Sequence, residues 1–296
     1  MQRFQGIYPP MVTPFTAKGS LDEEGLANVV HHLLRGGVQG IYLLGTTGES
    51  PALREAEWRR AVEVAKQALN GRGGLIVGAM EPATQRCIDR LRCAEEIGVD
   101  AVAVTPPYYY PPRDEAEILR HYEQLCAAAQ GPVLIYNIPS TTKVFIKAET
   151  VVRLNELDRI AGMKDSTGDW SHVQKLLLEL REDSKFSLLI GSPTLAGVGL
   201  WLGADGAVMS VGNIDPAMTV QLFQAAKAGD RDRLWALQQR LDLLLRLYQF
   251  GSQAACIKAA LHILGICAPY VAPPAAPVAS QDYPKMEAIL RQAGLL

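Results

Sequence analysis

A lysine closes the apolar run Ile160-Ala-Gly-Met-Lys164, just ahead of the turn residues Asp165-Ser-Thr-Gly168. Burying an ammonium there is costly unless a partner or a reaction uses it. Desolvation lowers a lysine pKa and frees the amine to attack carbonyls. Lys164 is therefore the first candidate, as an imine-forming nucleophile. The plainer readings are a side chain that snorkels to the rim or pairs with Asp165. Tyr136 follows a second apolar run, Val133-Leu-Ile135. A phenol there can carry a proton or hydrogen-bond a developing oxyanion, although tyrosines so placed more often pack. Gly45-Thr-Thr-Gly-Glu49 offers backbone N–H groups and two hydroxyls in a tight turn opening a helix. That suits a carboxylate or phosphate, but it lacks the Lys-Ser/Thr of a nucleotide loop and a plain capping turn is the alternative. The Tyr108–Tyr110 cluster reads as loop packing or an interface.

Short apolar runs must position these residues. The strand candidates are Gly6–Thr13, Gly40–Leu44, Leu75–Met80, Ala101–Thr105, Val133–Asn137, Ile160–Lys164, Ser187–Ile190 and Ala207–Val211. Amphipathic segments alternate with them: Asp22–Arg35, Arg54–Asn70, Ala83–Ile97, Asp114–Ala129, Lys147–Asn155, Trp170–Leu180, Pro193–Leu202 and Pro216–Lys227. Continuous apolar strands separated by helices imply a parallel sheet covered on its outer face. Such repetition predicts an α/β fold, a (β/α)8 TIM barrel. An open doubly wound sheet would carry a glycine-rich dinucleotide turn after its first strand, and none is present. Residues 1–228 then form the catalytic barrel. Residues 229–296 form a C-terminal helical extension packed on it, with helices Asp230–Gln249, Gln253–Leu264 and Tyr283–Ala293 around the proline-rich connector Ala268–Ser280. In such a barrel the strand C-termini carry the active site. Lys164, Tyr136, Gly45–Glu49, Gly191-Ser192 and Ser210–Asn213 all fall there.

The 296 residues carry a net charge of −2 and no basic run, which argues against nucleic acid or an anionic membrane as partner. No apolar run reaches membrane-spanning length. Five cysteines without a Cys-x-x-Cys pair suit a reducing compartment, so the expected location is cytoplasmic. All five histidines (His31, His32, His121, His172 and His262) fall in helical segments away from strand ends. No metal centre or other cofactor is expected from them, and an amine nucleophile gains weight.

Gly45-Thr-Thr-Gly-Glu49, Tyr136-Asn-Ile-Pro139 and Gly162-Met-Lys-Asp-Ser166, in this order, resemble the dihydrodipicolinate synthase / N-acetylneuraminate lyase family. The likeness extends to Pro9-Pro-Met-Val-Thr-Pro14 and Ile257-Lys-Ala-Ala-Leu-His262. It implies a class I, Schiff-base lyase in which a 2-oxo acid, pyruvate or a pyruvate-like portion, condenses with Lys164. Tyr136 would be the proton carrier, and Thr46 and Thr47 would hold the carboxylate. The Thr47 hydroxyl would link Tyr136 to a second tyrosine from a neighbouring subunit, at the position of Tyr109. The backbone at Gly191 and Val208 would complete the pocket. A homotetramer, a dimer of dimers, is implied.

One departure narrows the substrate. The synthases of this family carry Arg two residues beyond the Pro of the Tyr-Asn-x-Pro motif, and this chain has Thr141 there. A threonine makes no bidentate ion pair with a carboxylate, whereas Thr141 and Thr142 suit hydroxylated chains. The expected reaction is cleavage or formation of a 2-oxo-3-deoxy sugar acid, with pyruvate and an aldehyde as partners. Within the family, a dihydrodipicolinate synthase with Lys143 turned inward, or a 2-oxo acid dehydratase or deaminase, remain alternatives. Outside it stands a silent 2-oxo acid sensor.

Overall fold

Strands that face a packed interior on one side and covering helices on the other must be apolar throughout. The computed structural model, which describes residues 3–180, 182–183 and 185–296, meets that condition except at Ser187 and at Asn137, Lys164 and Asp165, which close β5 and β6. The strands are β1 Gly6–Ile7, β2 Gly40–Leu43, β3 Gly74–Ala79, β4 Ala101–Val104, β5 Val133–Asn137, β6 Ile160–Asp165, β7 Ser187–Ile190 and β8 Gly206–Ala207. Every strand residue except Gly74 is buried. All pairings are parallel, in the order β1-β8-β7-β6-β5-β4-β3-β2. The ring closes between the residues after β1 and β2: Tyr42 N donates to Pro9 O at 3.0 Å and Met11 N to Tyr42 O at 2.9 Å. The fold is the expected TIM barrel.

The helices are α1 Glu23–Arg35, α2 Glu55–Leu69, α3 Thr84–Ile97, α4 Glu115–Ala128, α5 Pro139–Thr142, α6 Ala148–Leu154, α7 Trp170–Leu180, α8 Pro193–Trp201, α9 Pro216–Ala228, α10 Arg231–Leu245, α11 Gln253–Ile263 and α12 Tyr283–Gln292. Aspartates at N-caps start α1, α4, α9 and α10, each accepting a first-turn N–H, a contact worth about 1 kcal/mol. The interior holds Tyr8, Tyr42, Ile76, Ala103, Leu134, Tyr136, Leu189 and Val208, the packed side-chain layers expected of a small barrel. A larger core lies between strands and helices, and Leu241, Leu244, Ile257 and Leu261 of the tail belong to it with Leu200, Met209 and Val211.

Beyond shifts of one or two residues at most element ends, three differences from the sequence expectation stand out. The first strand stops at Ile7 because Pro9 and Pro10 have no N–H for the ladder, although the chain runs on past β2. The eighth stops at Ala207, since Ser210–Asn213 turns into a 3-10 helix held by Asn213 Nδ2 donating to Ser210 O at 2.9 Å. The short helix α5 was not expected at all. Among the described residues no helix is long and apolar enough to cross a membrane.

Candidate active site

β5 and β6 run side by side with Tyr136 paired to Lys164. Successive strand residues face opposite ways, so Lys164 points into the barrel and Asp165 out of it. The two plain readings of Lys164 therefore fail. The residue is 3% exposed, so it does not snorkel. Asp165 is engaged elsewhere, accepting from Thr167 Oγ1 at 2.7 Å and lying 3.2 Å from His172 Nε2. The Lys164 ammonium sits instead between two rings, 3.9 Å from the Tyr136 centroid and 4.1 Å from that of Tyr42. Cation–π contacts in a desolvated site reach about 2 kcal/mol, against several kcal/mol for dehydrating the ion. Burial wins and pushes the Lys164 pKa below its ordinary value, with the Tyr136 phenol opposing in part. Gly162 makes this strand end possible, since a Cβ there would stand 2.2 Å from Ser187 O.

The Gly45–Glu49 turn is bounded by two residues in left-handed backbone, Leu44 at φ 55° and Glu49 at φ 54°. Each costs on the order of 1–3 kcal/mol for a non-glycine residue, so other contacts must hold them. Thr13 Oγ1 donates to Gly48 O at 2.6 Å. The Glu49 carboxylate receives Lys258 Nζ at 2.5 Å and Ala272 N at 2.8 Å, both from the C-terminal tail. Held this way, the Thr46 and Thr47 N–H groups meet no protein acceptor among the described residues. Two consecutive amides of this kind form a nest for an anion.

The hydroxyls depart from expectation. Tyr136 Oη lies 3.3 Å from Thr46 Oγ1, while Thr47 Oγ1 donates to Gln253 Oε1 at 3.2 Å. The tyrosine contact belongs to Thr46, and Thr47 reaches the tail. Neighbouring residues in an irregular turn diverge, and spacing alone could not choose between them.

These groups line one cavity of about 390 Å³, together with Ser140, Thr141, Ser166, Gly191, Ser192, Val208 and Ser210. Gly191 N and Val208 N are committed to Asp165 O at 2.6 Å and Ile190 O at 2.8 Å, so these two residues offer the cavity wall rather than N–H donors. Asn137 fixes the loop after β5, its Nδ2 donating to Ile146 O at 3.0 Å and its Oδ1 accepting Ile146 N at 3.2 Å. Thr141 is exposed at the mouth. Thr142 is buried, donating to Ile138 O at 3.1 Å, and so does not face the cavity. Lys143 turns outward, with Nζ on Ser140 O at 2.6 Å. Tyr109 is 73% exposed and outside its own chain's cavity. Sequence reasoning missed Tyr42, legible as an inward residue of β2 by strand alternation. It also missed Gln253 and assigned no role to Lys258, although Lys258 lies in the quoted Ile257–His262 run.

An amine of lowered basicity at the C-terminal rim of a barrel, with an anion-binding turn and a phenol around it, suits one class well. That class is the lysine-based lyases, which make or break a carbon–carbon bond through an imine. Comparison with known proteins agrees. The model of the dihydrodipicolinate synthetase family matches residues 3–293, and the chain belongs to that family. The 4-hydroxy-tetrahydrodipicolinate synthase of Methanopyrus kandleri is 33% identical over 297 residues, covering 99% of this chain and 98% of the relative. Among solved structures, YagE, a prophage protein of the same family from E. coli K12 in complex with pyruvate, superimposes with a TM-score of 0.94 at 29% identity, covering 99% of each chain. The chloride-inhibited dihydrodipicolinate synthase of Acinetobacter baumannii, complexed with pyruvate, reaches 0.93 at 29% identity, again with 99% of each chain covered.

Proposed function

We propose that this lyase cleaves or forms a 2-oxo-3-deoxy sugar acid, with pyruvate as the part held on Lys164. One observation carries the substrate reading. Among the described residues lining the cavity, Lys164 is the only cation, and the remaining polar groups are mostly hydroxyls. A substrate with a second carboxylate would leave it unpaired in the site, at a cost of several kcal/mol. A polyhydroxylated chain finds donors and acceptors in Ser140, Thr141, Ser166 and Ser192.

The chemistry follows from the placement of the groups. Neutral Lys164 Nζ adds to the C2 carbonyl of the 2-oxo acid, and loss of water, with one proton supplied by the Tyr136 hydroxyl, gives the protonated imine. The carboxylate lies on the Thr46 and Thr47 amides. The Tyr136 oxygen, having given up its proton in that step, takes the proton of the C4 hydroxyl, the C3–C4 bond breaks, and its electron pair flows into the iminium as an enamine. The aldehyde departs. Tyr136 returns the proton to C3, and water hydrolyses the iminium to pyruvate and the free amine, the released proton restoring the Tyr136 hydroxyl. Thr46 Oγ1, in contact with the Tyr136 hydroxyl, orients the phenol. Tyr109, exposed on its own chain, is assigned to the site of a neighbouring subunit in a homotetramer working in the cytoplasm.

The name of the Methanopyrus kandleri relative favours a second reading, synthase activity with aspartate semialdehyde. Lys143, the cation that reading needs, faces Ser140 O instead of the cavity. The test compares kcat/KM for pyruvate release from 2-oxo-3-deoxy sugar acids with that for pyruvate plus aspartate semialdehyde. The sugar acid is expected to be clearly the better substrate. Efficient synthase activity that Lys143→Ala abolishes would reverse the assignment.

A further inference from the structure

The C-terminal tail enters the cavity through one side chain. Gln253 opens α11, whose N-cap Ser252 accepts Ala255 N at 3.3 Å, and it lines the cavity. Its amide stands between two hydroxyls, with Thr47 Oγ1 3.2 Å from Oε1 and Ser210 Oγ 3.1 Å from Nε2. Behind Ser210, Tyr248 Oη donates to Ser210 Oγ at 2.8 Å. The four groups form one row from the tail to the anion-binding turn.

A hydroxyl has one proton to donate. In this arrangement the Thr47 proton is given to Gln253, so Thr47 has none for an incoming carboxylate. A carboxamide is nearly symmetric in shape but opposite in function at its two ends. Turning it over places Nε2 against Thr47 and Oε1 against Ser210. Nε2 then donates to Thr47 Oγ1, and Ser210, still accepting from Tyr248, gives its own proton to Oε1. The Thr47 proton is released toward the ligand. No bond forms or breaks, and each of the four groups keeps a partner in both arrangements.

We propose that Gln253 is a positioning residue for the carboxylate site, its amide turning over when a 2-oxo acid binds so that Thr47 changes from donating to the protein to donating to the carboxylate. This rests on the carboxylate lying at Thr46 and Thr47 in the functional reading above. An amide is the neutral side chain that can serve both arrangements. A glutamate could only accept, holding the Thr47 proton and setting a second negative charge beside the ligand. A leucine of similar size orders neither.

The test is the pyruvate concentration that half-saturates borohydride-trapped imine on Lys164, read by intact mass. Gln253→Glu should raise it by about tenfold or more, the scale of hydrogen bonds to charged groups. Gln253→Leu should raise it by roughly 3–10-fold, with trapping at saturation retained in both. In a Thr47→Val background, Gln253→Leu should add nothing, because the amide acts through the Thr47 hydroxyl. Additive effects in that cycle, or unchanged half-saturation in both Gln253 variants, overturn the relay and leave the functional reading standing. Absence of any trapped adduct in the unmodified protein overturns the functional reading itself.

Discussion

Among the described residues two lysines are buried, and only one of them has a carboxylate partner. Lys258 is 0% exposed and Lys164 is 3% exposed. Both have pKa values pushed down by burial. Lys258, however, meets the Glu49 carboxylate, donates to Tyr270 O at 2.8 Å and lies 4.2 Å from the Phe15 ring centroid. The charge of Glu49 opposes the desolvation. Among the described residues, Lys164 has no carboxylate within ion-pair distance and faces two phenol rings. Burial alone therefore does not mark a reactive lysine; burial without a counter-ion does. Lys258 ties the tail to the Gly45–Glu49 turn, whereas Lys164 carries the uncompensated burial that the proposed imine chemistry requires.

The comparison can be broken most sharply at the reaction itself. Lys164→Met should abolish the borohydride-trapped pyruvate adduct, whereas Lys258→Met should keep it. Tyr136→Phe should lower turnover by roughly 10²–10⁴ while retaining the adduct, measured as pyruvate release and intact mass. An adduct that survives in Lys164→Met, or maps to Lys258, would exchange the two roles. The next effect is on stability. Lys258→Met leaves Glu49 buried without its partner and should cost about 3–5 kcal/mol in denaturant unfolding. Lys164→Met removes an unpaired buried cation and should be neutral or stabilising. A large loss in Lys164→Met with none in Lys258→Met would invert the comparison.

The smallest effect is a pH dependence. The folded-state pKa of Lys164 lies below 10.5. Between those two values the unfolded chain holds more protons on this residue than the folded chain does, so stability rises with pH. The unfolding free energy of the unmodified protein, minus that of Lys164→Met, should therefore be flat below the lowered pKa and rise with pH toward 10.5. A difference that falls across this window would mean that Lys164 is held as an ion pair.

How much of this was legible in the sequence depended on distance along the chain. Lys164, Tyr136 and the Thr46-Thr47 turn could be read because each closes an apolar run, and strand ends converge in a barrel. The hydroxyl pairing could not. Leu44 and Glu49 take left-handed backbone without a glycine or asparagine to announce it, so the directions of Thr46 and Thr47 were not fixed by type. Thr142 looked available by spacing, yet the unforeseen turn of α5 buries it. The roles of Gln253 and Lys258 were hidden for a different reason. Their partners, Thr47 and Glu49, are 206 and 209 residues away, and no local pattern reports such a contact.

The Glu49–Lys258 contact also sets a clock on biosynthesis. At about 5–20 residues added per second, roughly 10–40 s pass between translation of the two residues. During that interval Glu49 has no ammonium to hold it, and Thr47 has no amide to receive its proton. A nascent or truncated chain that ends before residue 253 can contain all eight strands and Lys164, yet still lack a finished acid-binding turn. On the function proposed above, the carboxylate-binding turn next to Lys164 is therefore completed only after residues 253–272 have been made, long after Lys164 itself.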